Sequence, residues 1–315
     1  MSSHLSEAAL VGSRWTWRLL ALPGVLWLTV FFLLSFYAVI AVAFGNQNTL
    51  SEPVPFWNPL DWNVGYMLAT LENIWHGEQF LTVFVRTFVF VAVALALSLL
   101  IGYPVAYFAA RHAGRYRGLV LLLLILPFWI NYLMRMLAWI NLLSPDGLGT
   151  RMLSSLGIER LFIFANLLSS RGGWLEGQPF TVIMALTYGY LPFLILPLYA
   201  ALDRIDQRQI EAARDLGASP SGAFRRVTLP LSRPGILAGL VLIALPMFGD
   251  YYTPDLVSSS TKTTMIGNQI DQLTRQGSEK VVGASLTLIL AVVLLGLMFY
   301  YLRATRSADH RAVDA

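Results

Sequence analysis

From Leu19 onward the chain alternates long apolar runs with shorter polar segments. A helix needs about 20 mostly apolar residues to cross a bilayer. Six stretches reach that length, roughly 19–44, 87–110, 119–143, 180–202, 235–257 and 281–302. The fifth is the least regular, because its uninterrupted apolar run stops at Asp250. The loops between alternate spans are long enough for short helices. "RLFIFANLL" (160–168) is too short to span and too apolar for a free loop, so it is expected to pack on the outer face of the bundle. No low-complexity tract, linker or internal repeat divides the chain. The expectation is an all-α membrane protein: a six-helix domain over 19–303, an N-terminal segment 1–18 and a tail 304–315.

Composition agrees with the pattern. A chain with 56% hydrophobic residues, 13% charged residues and a mean hydropathy of +0.61 lies outside the range of water-soluble domains. The net charge of +4 is spread over short segments between apolar runs and forms no single basic face, which argues against nucleic acid. With no cysteine, disulfide frameworks and thiolate sites are excluded. The histidines, His4, His76, His112 and His310, are scattered and pair with nothing at ligand spacing, so no metal site is expected. Arg14 and Arg18 precede the first apolar run as in a signal peptide, and "AVAFG" (41–45) resembles a cleavage site. The run is much longer than a signal core of about 7–15 residues, and the expectation is an uncleaved anchor.

Arginines mark one side. They occur at Arg14 and Arg18, at Arg111, Arg115 and Arg117, at Arg204, Arg208, Arg214, Arg225, Arg226 and Arg233, and at Arg303, Arg306 and Arg311. The loop over 45–86 instead carries Glu52, Asp61, Glu72 and Glu78 against Arg86 alone, and the 144–179 and 258–280 loops are mixed, with Arg151, Arg160, Arg171 and Arg275 among their charges. By the positive-inside rule both termini are expected in the cytoplasm. Trp57, Trp62, Trp75 and Trp174 then fall in or beside the outer loops, where they suit either the membrane interface or a docking surface.

On this topology the polar island 203–234 is cytoplasmic. "DQRQIEAARDLGA" is helix-forming up to Leu216, and Gly217 is suited to a left-handed hinge. Ser219 is a candidate N-cap and Pro220 a first helical residue, with a second short helix expected to end near Val227, before Pro230. Ala212 and Ala213 leave a surface that another protein can approach closely. Glu211 and Arg214 are spaced either to contact such a partner or to pair with each other along the helix.

Glu211, Ala212, Ala213, Gly217, Val227, Leu229 and Pro230 match the spacing of the signature loop of binding-protein-dependent ABC importer permeases, which the segment resembles. The resemblance implies a type I importer permease fold in a bacterial inner membrane. It further implies a coupling role for Glu211, Ala212, Ala213, Arg214, Gly217 and Pro230 against a separate ATPase. The implied partners are a second homologous permease, two cytoplasmic ATPase subunits that carry ATP and Mg, and an external binding protein. No phosphate loop, Gly-x-Ser-x-Gly elbow or His-Glu-x-x-His pair is present, so this chain is expected to be a transport subunit without cofactor or catalytic residues.

"LPFWINYLMRMLAW" (126–139), "YLPFLILPLYAALDRID" (190–206), "FGDYYTPDL" (248–256) and "TMIGNQI" (264–270) resemble the spermidine/putrescine branch, which implies polyamine cargo. Where that branch commonly has a glycine pair after "TPDL", this chain has Val257, Ser258 and Ser259. Polyamines call for carboxylates and aromatic faces. Asp250, in the fifth span, is therefore a candidate path residue, with Tyr251, Tyr252 and Asp255 beside it. Arg135, the one cation within the third span, has a gate or structural role open to it, including an ion pair with Asp250. Tyr188 and Tyr190 do not share a helix face, so at most one faces a path; Tyr188 is taken as the candidate. Trp129 and Trp139 are expected to serve packing or the membrane interface and not to bind cargo. The rival readings are a permease for ferric iron, an aminophosphonate or thiamine, and a stand-alone ion-coupled transporter, which has no use for the island.

Overall fold

The computed structural model describes residues 14–48, 52–76, 78–157, 163–164, 174–175, 177–258, 260–275 and 279–313. In chain order, α1 (Arg14–Leu28) passes through a π-helical turn into α2 (Leu34–Ala43). A two-stranded antiparallel hairpin follows, β1 (Asn46–Gln47) against β2 (Pro53–Val54), with Asn46 opposite Val54. Next come α3 (Val64–His76), α4 (Glu78–Arg111), α5 (Arg117–Ile125), α6 (Tyr132–Leu143) and α7 (Leu148–Ser155). The rest is α8 (Pro179–Asp203), α9 (Gln207–Asp215), α10 (Pro220–Ala223), α11 (Leu229–Phe248), α12 (Tyr252–Val257), α13 (Ile266–Arg275) and α14 (Lys280–Val313).

Two units result. In the first, Met1–Glu72 with Gln272–Leu290, buried Ala43, Ala284 and Leu288 form a cluster with Val39, Ile40, Phe44 and Met67. In the second, Asn73–Asp271 with Ala291–Ala315, α8 packs along α4 on one flank and α11 on the other. Gly239 makes the second contact possible: a Cβ there would lie 2.7 Å from Leu194 Cδ1. Small residues at such crossings let backbones approach, which substitutes for a hydrophobic driving force in lipid. Apolar side chains elsewhere point outward, as on α1, where Leu20 and Trp27 are exposed, in keeping with a lipid-facing surface.

Among the described residues five helices are long and apolar enough to cross a membrane, and a sixth crossing results if one bent pair counts as a single span. Three boundaries differ from those read in the sequence. The second span begins at Phe80 rather than near 87. The third, read as continuous over 119–143, bends by 89° between Trp129 and Tyr132. There Ile130 is extended, and the Asn131 side chain accepts the Leu133 N–H at 2.9 Å, so an N-cap competes with helix continuation inside an apolar run. The fifth, read as 235–257, runs over Pro220–Phe248 and stops at Gly249.

Pro230 is also passed rather than avoided. The helix continues from Pro220 through the π-helical turn Phe224–Thr228 into α11, and Pro230 lies just past that widened turn. Residues 160–168 lie outside the described residues except at 163 and 164.

Candidate functional site

The polar island folds as helix, glycine elbow and second helix. Asp206 caps α9 by accepting the Arg208 N–H at 3.0 Å. At its other end Ala218 N bonds Ala213 O at 3.0 Å and Gly217 N bonds Arg214 O at 2.9 Å, a pattern that needs a left-handed residue between. Gly217 supplies it, with φ +88°. Ser219 Oγ then accepts the Gly222 N–H at 3.1 Å, capping the next helix with Pro220 in its first turn. Glu211, Ala212, Arg214 and Gly217 are exposed, Ala213 and Pro230 half-buried. Leu216 stands 90% exposed at the tip, beside a concavity of 350 Å³ lined by Glu211, Arg214, Asp215, Ala218 and Pro220. Glu211 and Arg214 form no ion pair with each other, whereas Arg117 and Asp203 nearby pair at 3.4 Å.

The second constellation surrounds Asp250, which lies just past the end of α11 instead of within a continuous span. Its carboxylate is buried at 7% exposure. Oδ1 accepts the Thr253 N–H at 3.0 Å, so it caps α12. Oδ2 accepts the hydroxyls of Thr253 at 2.5 Å, Tyr190 at 3.1 Å and Tyr132 at 3.4 Å, while Tyr132 also bonds the Thr253 hydroxyl. Every one of these donors is neutral. Buried charge is costly unless paired, and among the described residues no cation pairs with Asp250.

Arg135, 9% exposed, does not make the ion pair left open by the sequence. Its guanidinium lies 4.3 Å from the Phe128 ring centre and 5.5 Å from that of Tyr132, and its Nε and Nη1 find no hydrogen-bond acceptor among the described residues. The bend between α5 and α6 produces this arrangement, since Phe128 and Arg135 lie on opposite sides of it.

Of the two span-four tyrosines it is Tyr190, not Tyr188, that reaches Asp250. Tyr188 packs edge-on to Trp139, 5.4 Å between ring centres, in a cluster with Met136, Ala185 and Val257. The rings of Tyr251 and Tyr252 lie against each other at a 30° tilt with centres 4.1 Å apart, Tyr252 being exposed. Trp139 packs against Tyr188, and Trp129 is 78% exposed.

Asn268 ties these residues together. Its Nδ2 donates to Tyr251 O at 2.5 Å and to Asp255 Oδ1 at 3.1 Å, and its Oδ1 accepts the Met265 N–H at 3.0 Å. Gly267 fits beneath the break: a Cβ there would lie 2.7 Å from Gly249 O and 2.9 Å from Asp250 O. Sequence reasoning did not single out Tyr132, Thr253 or Asn268. The Asp-x-x-Thr spacing at 250–253 is an N-cap signal that marks Thr253; Tyr132 and Asn268 carry no such local signal. No group of three or more metal-ligating side chains occurs among the described residues. The arrangement is thus a buried anion among hydroxyls and aromatic rings, suited to a cationic group.

Residues 102–305 match the family described as "Binding-protein-dependent transport system inner membrane component". The chain is 37% identical over 193 residues to the spermidine/putrescine transport system permease protein PotB of Haemophilus influenzae, covering 61% of this chain and 64% of that one. It is 36% identical over 188 residues to PotB of Escherichia coli, covering 60% and 64%, and 34% identical over 187 residues to the inner membrane ABC transporter permease protein YdcU of Escherichia coli, covering 58% of each. The chain therefore aligns with less than two thirds of the length of these curated relatives. Among solved structures, a bacterial alginate ABC transporter bound to its pentasaccharide-loaded periplasmic protein superposes with a TM-score of 0.71 at 20% identity, over 93% of this chain and 95% of that one.

Proposed function

The chain belongs to the binding-protein-dependent transport system inner membrane components, a family of transport subunits rather than enzymes, and on that premise we propose that it is the permease of an ATP-driven importer of polyamines. The observation that carries the cargo is the Asp250 carboxylate, buried and held by Tyr132, Tyr190 and Thr253 with no cation of its own. An ammonium group arriving there supplies the missing charge, and the tyrosine rings nearby offer faces for methylenes and cation–π contact. The 35–37% identity to PotB proteins supports the same cargo. The alginate transporter supports the fold alone.

In this reading both termini are cytoplasmic, and the domain over 19–303 pairs with a second homologous permease to enclose the path. Asp250, Tyr251, Tyr252 and Asp255 belong to that path, with Tyr190 in the role first given to Tyr188. Arg135 keeps a gating or structural role. Two ATPase subunits, carrying ATP and Mg, engage the elbow through Glu211, Ala212, Ala213, Arg214, Gly217 and Pro230, and an external binding protein delivers cargo.

The test is ATP hydrolysis by the reconstituted assembly with candidate binding proteins loaded with spermidine, putrescine, ferric ion or an aminophosphonate. Stimulation by a polyamine alone is expected. Stimulation by another solute keeps the importer and discards the cargo.

A further inference from the structure

Both ends of the elbow are fastened to the last turns of the same helix, α4. At the incoming end, Arg111 Nη2 donates to Leu202 O at 2.7 Å and to Ile205 O at 2.6 Å, and Nη1 donates to Gln207 Oε1 at 3.4 Å. These carbonyls belong to the end of α8 and the link into α9, where a helix leaves its final acceptors unpaired and its dipole favours a cation. At the outgoing end, Phe224 meets Tyr103 and Tyr107 edge-on, with ring centres 5.8 and 5.7 Å apart. The Tyr103 hydroxyl is also 3.0 Å from the buried Ser232 hydroxyl of α11. Tyr103, Tyr107 and Arg111 recur at every fourth residue, one face of one helix.

From this we infer that α4 is the lever of the coupling step, and that Arg111 is the positioning residue that locks the elbow to it. The inference rests on the coupling role proposed above for 211–230. An elbow held at one end pivots when its tip is pushed. Held at both ends on one rigid helix, it passes the push to α4 as a rigid-body movement. A lysine at 111 keeps a cation for the carbonyls but not the planar fork that spans three acceptors. Glutamine keeps donors without the charge.

The chain has no cysteine, so nitroxide labels attached at His112→Cys and Arg208→Cys before assembly with the other subunits report the α4–α9 separation alone. The reconstituted assembly, with its ATPase and partner permease, is compared with and without vanadate-trapped ATP, alongside ATPase co-purification and polyamine uptake per ATP. With Arg111 present, the dipolar coupling between the labels is expected to be the same in both nucleotide states. In Arg111→Gln it is expected to weaken on trapping, while the ATPase still co-purifies and uptake per ATP falls about tenfold. Arg111→Lys restores most of both. A purely structural role for Arg111 would lower the yield of assembled complex without making the label coupling nucleotide-dependent. The inference is overturned if Arg111→Gln keeps a constant coupling and normal uptake per ATP, or if the coupling already changes with nucleotide when Arg111 is present. Loss of ATPase co-purification from the native chain overturns the coupling reading itself.

Discussion

The hydroxyl of Tyr190 in α8 donates a 3.1 Å hydrogen bond to Oδ2 of Asp250, just beyond the end of α11. This bond joins two spans at the point where one of them is broken, and it leaves the carboxylate hydrogen-bonded yet without a counter-ion among the described residues. Asp250 thus acts as helix cap and as buried charge together, and the two roles separate under mutation.

Asp250→Asn preserves an acceptor for the Thr253 N–H and removes the charge. Spermidine uptake at limiting cargo is expected to fall at least tenfold, because a hydrogen bond to a charged group contributes about 1.5–3 kcal/mol. Tyr190→Phe is expected to cost a few-fold, and Tyr188→Phe nothing. Uptake by Asp250→Asn equal to that of the native chain removes Asp250 from the path.

At Gly217 the prediction concerns backbone. A Cβ there meets nothing within 4 Å, so Gly217→Ala suffers only from the φ of +88°, a cost of about 1–2 kcal/mol confined to the elbow. Gly217→Pro cannot adopt that φ. Alanine is expected to reduce cargo-stimulated ATP hydrolysis and proline to abolish it, with membrane insertion intact in both. Loss of insertion by either variant indicates that the elbow serves assembly instead.

Asn268→Ala removes two bonds to the 251–255 segment and strips the Met265 N–H of its acceptor. An unmet buried donor costs about 1–3 kcal/mol. Amide hydrogen exchange over 250–257 is expected to accelerate, with exchange in α8 unaffected. Equal protection in the two proteins shows that Gly267 packing alone holds the break.

Gly239→Val tests the α8–α11 contact. Overpacking of this kind costs about 1–3 kcal/mol, and a lower melting temperature in detergent is expected. Adding Leu194→Ala, which clears the atom 2.7 Å from the new Cβ, is expected to recover part of the loss. No recovery places the strain on the Leu194 carbonyl, 3.3 Å away.

What sequence alone determined is what depends on neighbours along the chain. Apolar run length set the number of candidate spans, since a bilayer demands a fixed rise per residue. Much of the elbow was legible, because Gly217, Ser219 and Pro220 act through local backbone geometry. Tertiary structure decided whatever depended on residues far apart. Asn131 and the Asp250–Thr253 cap ended helices within apolar runs where hydropathy counts predicted continuity, because capping bonds outweigh a favourable average. Periodicity separated Tyr188 from Tyr190 without telling which one turns to Asp250, and packing of Trp139 against Tyr188 leaves Tyr190 on the other side. The pairing of Arg135 with Asp250 that the sequence left open does not form for the same reason: the bend between α5 and α6 sets the guanidinium over the rings of Phe128 and Tyr132. Charge alone names possible partners, but only the positions of the helix axes decide which of them meet.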